Sequence, residues 1–175
     1  MQTAIETLAP HVKGRTVLDL GCGVGQLGVH LMRHGCAHYT GIDISPVAVE
    51  EATEFVAELF QLPVKSAVEG LRNTEYYIPG SILRLDLDTT TELATGMKKE
   101  SIAWYGTDSR AFQVSDPAIR VLARYGSPDP LLSGWVLGGD KVAGKPAILE
   151  ADVGKGSVVL FGFQPNYRAQ SVATF

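Results

Sequence analysis

The sequence predicts an α/β domain of three layers, with a mainly parallel sheet and a C-terminal β-hairpin. Residues 16–60 alternate apolar, β-branched runs with helical patterns, which is the order of a βαβα unit. A glycine cluster stands between the first strand and the first helix. Near the C-terminus, two further β-type runs flank Gly154-Lys155-Gly156, a spacing typical of a hairpin.

The first strand, turn, helix and second strand follow from local residue patterns. Thr16–Leu20 (TVLDL) is short, apolar and β-branched, which is typical of a buried parallel strand. Gly21–Gly25 (GCGVG) predicts a tight turn, and Gln26–His34 carries the apolar spacing of a helix that stops at Gly35. His38–Ile44 (HYTGIDI) predicts the second strand.

The second helix and the later strands are predicted in the same way. Ser45-Pro46 is a good helix start, and apolar residues at helical spacing continue the pattern to Phe60. From Leu62 the sequence pattern changes and predicts short strands separated by glycine or proline turns. Four runs are predicted as strands: Ile82–Leu87, Ile119–Tyr125, Ala147–Val153 and Ser157–Phe163.

The composition indicates a globular protein with no strong electrostatic preference. Of 175 residues, 45% are hydrophobic and 19% are charged, and the formal net charge is -4. Nucleic acids and anionic membranes bind clustered Lys and Arg, so this balance predicts neither partner. No run reaches the roughly 18 apolar residues of a membrane span, and the opening residues lack a secretory pattern. We therefore expect a cytoplasmic protein.

Both cysteines and all four histidines lie in the first 38 residues. The remaining sequence therefore has no thiol nucleophile and no imidazole base or metal ligand. We expect no metal site, no zinc peptidase activity and no glutamine amidotransferase activity. Any chemistry must begin near the N-terminus.

The glycine turn and an acidic residue point to a nucleoside-containing cofactor. Gly21, Gly23 and Gly25 allow a sharp turn and a close approach of ligand to backbone, at a helix start with unpaired N–H groups. Asp43 follows 22 residues after Gly21, at the end of the next strand, where a carboxylate can accept hydrogen bonds from both ribose hydroxyls. The alternative is a tight connection that binds nothing.

Residues 14–51 resemble the opening motifs of class I S-adenosylmethionine-dependent methyltransferases, through VLDLGCGVGQLG (Val17–Gly28) and GIDISPVAVEEA (Gly41–Ala52). The resemblance implies a Rossmann- or flavodoxin-like sheet and S-adenosylmethionine as cofactor. It also implies roles for seven residues: Asp19, Gly21, Gly23 and Gly25 on the methionine and sugar side, Asp43 at the ribose hydroxyls, Ile44 against adenine, and Cys22 as a small buried filler.

Residues 52–175 resemble a different family, the class I glutamine amidotransferase-like C-terminal domain of zinc carboxypeptidase-like proteins. The segments that carry this likeness are ATEFVAELFQLPVKSAVEGL, YYIPGSILRLDLDTT and DPLLSGWVLGGDKVAGKPAILEADVGKGSVVLFGFQPNYRAQSVATF. In that family the domain is an accessory module. The two resemblances together predict a chimera-like chain, folded as one domain over residues 1–175 with a seam near 46–54.

Three functions remain open on these grounds. The first is methyl transfer from S-adenosylmethionine, for which the sequence names neither catalytic residues nor a methyl acceptor. The second is cofactor binding without turnover, since the acceptor half of a methyltransferase does not follow Ala52. The third is a non-catalytic accessory module that binds a protein partner. We rank S-adenosylmethionine binding first, because it alone has residues in a mechanistically sensible arrangement.

Overall fold

A computed structural model describes residues 8–20, 22–23, 25–42, 46–153 and 156–165. Residues 8–12 are helical. The two α-helices that follow are α1 (Gln26–Arg33) and α2 (Pro46–Leu59). The strands are β1 (Thr16–Leu20), β2 (His38–Ile42), β3 (Val64–Ser66), β4 (Gly80–Leu87), β5 (Glu100–Gly106), β6 (Phe112–Val114), β7 (Arg120–Tyr125), β8 (Leu131–Ser133), β9 (Pro146–Val153) and β10 (Gly156–Phe161).

The chain divides into two compact units. The first comprises Met1–Leu62 with Glu150–Val159, and the second comprises Pro63–Leu149 with Leu160–Phe175. Strands β9 and β10 therefore contribute residues to both units. The predicted seam near 46–54 falls within α2, in the first unit. The proposal of a single domain over residues 1–175 stays a prediction.

The first unit has the predicted β-turn-α-β order. β1 and β2 are parallel, with Thr16 beside His38 and Leu20 beside Ile42, and Ser157 of β10 pairs with His38 in parallel on the other side. A small core lies between these strands and α1. Its buried residues are Val12, Leu31 and Cys36, and the half-buried residues packed on them are Val17, Leu27, Met32 and Tyr39.

The second unit is built around β4. This strand pairs antiparallel with β5, β7 and β8, and β3 pairs antiparallel with β6. Residues along β4 alternate between half-buried and buried, as expected of a strand whose two faces differ. Tyr105 and Tyr125 lie in the core of this unit, with 1% and 0% of their surface exposed.

The α/β class is confirmed, but the sheet is mixed. A mainly parallel arrangement describes the first unit, whereas the pairings around β4 are antiparallel. The physical reason is the connections: among the described residues 63–153 and 156–165 the helices are two 3-10 turns, Glu92–Ala94 and Gly139–Lys141. A parallel pair needs a long crossover, usually an α-helix, and these connections supply none.

Two finer predictions stay predictions. The three-layer arrangement requires helices on both faces of the sheet, and the described α-helices all precede Leu62. The C-terminal hairpin has both of its predicted strands, and β9 and β10 are neighbours in the strand order. Its turn residues Gly154 and Lys155 lie outside the described residues.

Candidate functional site

The glycine turn after β1 leads directly into α1. Gly23 has φ 54° and Gly25 has φ 76°, both in the left-handed region that side chains disfavour. The Gly25 N–H donates to the Cys22 carbonyl at 3.0 Å, which closes the turn. Gly25 is the N-cap of α1, so the helix begins without a side-chain cap. The third predicted glycine, Gly21, lies outside the described residues.

The start of α1 is suited to a polar ligand. The first N–H groups of a helix have no partner within it and carry the positive end of the helix dipole. Here the N-cap supplies no side-chain acceptor, and the first turn contains no acidic residue. A Cβ atom at Gly23 would meet nothing within 4 Å, so the turn is open on that side. These features fit the cofactor class that the sequence suggests.

Asp19, on β1, is held by a tyrosine from β2. The Tyr39 hydroxyl donates to Asp19 Oδ2 at 2.6 Å, a short hydrogen bond of the charge-assisted kind. Burial is the largest cause that raises the pKa of Tyr39 above its usual range, and the hydrogen bond to Asp19 adds to it. The phenol therefore stays protonated and remains a donor to the carboxylate across the ordinary pH range.

The Tyr39 ring also lies against α1. A Cβ atom added at Gly28 would stand 2.5 Å from Tyr39 Cζ and 2.7 Å from Cδ1, so the ring occupies the space of that side chain. A backbone hydrogen bond from Gly28 to the phenol acts to lower the pKa of Tyr39, against the larger effect of burial. Tyr39 thus joins β2, β1 and the first turn of α1 in one contact.

Cys22 fills space between the turn and β2. Its thiol donates to the Gly23 carbonyl at 3.6 Å, a weak hydrogen bond. A Cβ atom at Gly41 would lie 2.8 Å from Cys22 Sγ, so the thiol packs on that glycine. The half-buried Cys22 therefore lies where a larger residue on β2 would collide with it.

The structure brings together part of the predicted site. Asp19, Cys22, Gly23 and Gly25 lie at the carboxyl end of β1 and the start of α1. Asp43 and Ile44 follow the last residue of β2 and lie outside the described residues, so their predicted ribose and adenine contacts stay predictions. Tyr39 was missed by the sequence reasoning, although a large residue on β2 and a small one in the facing helix were visible signals.

Within the part of the chain that the structure describes, no group of three or more His, Cys, Asp or Glu side chains is placed to hold a metal ion. The helices of that part include none that is both long enough and apolar enough to cross a membrane.

Comparison with known proteins gives a family match for the N-terminal part of the chain. The family model described as "Methyltransferase domain" matches residues 17–77, so the similarity extends past residue 51, where the sequence resemblance had ended. The match covers β1 from Val17 onward, the glycine turn, α1, β2 and α2.

Curated relatives agree with this match. The ribosomal protein L11 methyltransferase of Sodalis glossinidius is 47% identical over 38 residues, covering 22% of this chain and 13% of the relative. The enzyme of the same name from Burkholderia thailandensis is 44% identical over 54 residues, covering 31% of this chain and 17% of the relative. That of Photorhabdus laumondii is 39% identical over 44 residues, covering 25% and 15%.

The chain thus spans a small part, 13–17%, of these relatives. The predicted likeness to S-adenosylmethionine-dependent methyltransferases is confirmed for the N-terminal part. The amidotransferase-like resemblance of residues 52–175 stays a prediction, and its first part lies within the methyltransferase match.

Proposed function

We propose that this protein binds S-adenosylmethionine at the carboxyl end of β1, in the manner of a methyltransferase. One observation carries the proposal: two left-handed glycines lead from β1 into a helix whose N-terminus has no side-chain cap. The site offers backbone N–H groups to the polar groups of the ligand, and Asp19 offers a carboxylate to its cationic or hydroxyl groups. Under this proposal Asp43 accepts hydrogen bonds from the ribose hydroxyls, and Ile44 lies against adenine.

Methyl transfer is the chemistry that such a site would serve. When bound, S-adenosylmethionine would supply a methyl group for direct displacement, in which the bond from sulfur to methyl breaks as the acceptor nucleophile attacks and the sulfur leaves in neutral S-adenosylhomocysteine. The contribution of the protein is then chiefly to hold the acceptor in line with the sulfonium. The proposal assigns cofactor-binding residues and leaves the methyl acceptor and the catalytic residues unassigned. It also places a protein or small-molecule acceptor ahead of nucleic acid, since the formal net charge is -4.

Calorimetric titration of the full chain with S-adenosylmethionine tests the proposal. We expect saturable binding, and we expect Asp43→Ala to weaken it by about 1–3 kcal/mol through lost hydrogen bonds to a charged acceptor. The matched control is Glu58→Ala, since Glu58 is an exposed carboxylate on α2 away from the glycine turn. Absence of heat at millimolar ligand contradicts the proposal, and equal weakening by the two variants contradicts the role of Asp43.

A screen for methyl transfer separates catalysis from binding. The chain is incubated with S-adenosylmethionine labelled in its methyl group and with panels of protein and small-molecule acceptors. Methyl transfer to an acceptor supports an active methyltransferase if Asp43→Ala lowers the rate of transfer in proportion to the affinity for S-adenosylmethionine that this variant loses. Saturable binding with no transfer to any panel supports cofactor binding without turnover.

A further inference from the structure

Tyr39 occupies an unusual place for a residue on the second strand of the site. Its ring fills the position of a side chain at Gly28, the third residue of α1, and its hydroxyl reaches Asp19 on β1. The ring therefore lies against the first turn of α1 while its hydroxyl binds the Asp19 carboxylate. Three elements that border the glycine turn are linked by this side chain.

Tyr39 also borders the start of α1. Gly25 cannot cap α1 with a side chain, and a helix leaves its first N–H groups unpaired. The Tyr39 ring packs against Gly28 in this first turn. The same side chain therefore contacts the helix start and holds the Asp19 carboxylate.

A carboxylate is a precise acceptor only when something limits its rotation. An Asp side chain turns about two bonds, and ordering it as a ligand binds costs conformational entropy. The 2.6 Å hydrogen bond to Oδ2 removes that freedom before the ligand arrives. A carboxylate with several acceptor positions can still receive a donor from the ligand.

We propose that Tyr39 is a positioning residue, which holds the Asp19 carboxylate so that the site favours ligands carrying an ammonium group near the glycine turn. This inference rests on the proposed function, because it concerns the same site. Asp19 supplies the negative charge, and Tyr39 acts through Asp19 without touching the ligand. S-adenosylmethionine carries such an ammonium group on its methionine part, whereas 5′-methylthioadenosine lacks it.

Titrations of four chains test this inference. Wild type, Tyr39→Phe, Asp19→Asn and the double variant are each titrated with S-adenosylmethionine and with 5′-methylthioadenosine. Tyr39→Phe keeps the ring against Gly28 and removes the hydroxyl alone, and thermal unfolding of each variant confirms that it is folded. Tyr77→Phe is the matched control, since Tyr77 is a partly exposed tyrosine of the second unit.

We expect Tyr39→Phe to lower the affinity for S-adenosylmethionine roughly tenfold, since one hydrogen bond to a charged group is lost. The affinity for 5′-methylthioadenosine should fall by less than about twofold. In the Asp19→Asn background the further effect of Tyr39→Phe should largely vanish, because the two residues act through one contact. If Tyr39 had a purely structural role, Tyr39→Phe would lower the affinity for both ligands equally.

The outcomes separate the two proposals. Unchanged affinity for S-adenosylmethionine in Tyr39→Phe, or equal loss for both ligands, overturns the positioning role and leaves the proposed function intact. Additive effects of the two substitutions overturn it as well. A wild-type chain that binds neither ligand overturns the proposed function itself, and the positioning role falls with it.

Discussion

Replacing Gly28 by alanine should destabilise the first unit, although alanine is the better helix former. In an ordinary helix interior this change gains about 1 kcal/mol. Here the added Cβ would stand 2.5 Å from Tyr39 Cζ, far inside van der Waals contact, and the ring is held by Asp19. Overpacking of this kind costs about 1–3 kcal/mol. We expect a net loss of up to about 2 kcal/mol, because the short contact is with a ring that cannot swing away.

Native-state hydrogen exchange is the suitable assay. Both tryptophans, Trp104 and Trp135, belong to the second unit, so their fluorescence would not follow unfolding of the first. Exchange of the Leu31 amide in α1 reports opening of the first unit, since Leu31 is fully buried in its core. Faster exchange at this amide in Gly28→Ala gives the loss of opening free energy directly.

The control is the same substitution in a Tyr39→Val background. With the ring removed, the added methyl group meets open space, and Gly28→Ala should stabilise α1 by about 0.5–1 kcal/mol through helix propensity. The two backgrounds should thus differ by about 1–3 kcal/mol in the effect of one methyl group. Gly28→Ala that stabilises the wild-type chain would refute the contact between Gly28 and Tyr39.

Three further outcomes are expected. A thiol reagent at pH 8 should modify half-buried Cys22 well before Cys36, because Cys36 is 3% exposed and burial raises its pKa; equal rates contradict this. Burial raises the pKa of the Tyr125 phenol in the folded chain. The stability that follows from this shift is therefore present below the pKa of the unfolded-state phenol, near 10, and is lost as the pH rises above it. In urea titrations, Tyr125→Phe should lack this loss of unfolding free energy at alkaline pH. Ser81→Ala should cost about 1–3 kcal/mol in urea unfolding, because Ser81 Oγ bonds both the N–H and the carbonyl of Trp135, at 2.9 and 2.7 Å; an unchanged midpoint contradicts this.

The first unit could be predicted closely because its signals are local. Thr16–Leu20 is the strand as predicted, the helix from Gln26 ends one residue earlier than expected, and α2 begins at Pro46. Glycine clusters, a proline at the helix start and apolar runs determine the secondary structure of residues only a few positions away. The left-handed Gly23 and Gly25 likewise follow from the turn chemistry of the sequence.

The second unit could be predicted in part. Ile82–Leu87, Ile119–Tyr125 and the two C-terminal runs are strands within one or two residues at each end. The antiparallel pairing of β4 with β5, β7 and β8 was not foreseen, because the partner of a strand depends on residues distant in the sequence and on the connections between strands. Short strands such as β3 and β8 carry too few residues for alternation to show.

The contact between Tyr39 and Asp19 was missed for a related reason. The sequence motif singles out Asp19, whereas nothing in the pattern of His38–Ile44 distinguishes Tyr39 from the other residues of that strand. Twenty residues separate them in sequence, and their meeting depends on the parallel register of β1 and β2 and on the missing side chain at Gly28. Pairing a large strand residue with a small residue of the facing helix would have found it.

Amide chemical shifts during titration with S-adenosylmethionine test the central claim most directly, because they locate a ligand residue by residue. We expect the largest changes at Gly23, Gly25 and Gly28, with smaller ones at Asp19 and Tyr39, and strands of the second unit should stay unaffected. A spectrum that does not change at millimolar ligand, or whose changes cluster in β4 and β5, would contradict the account.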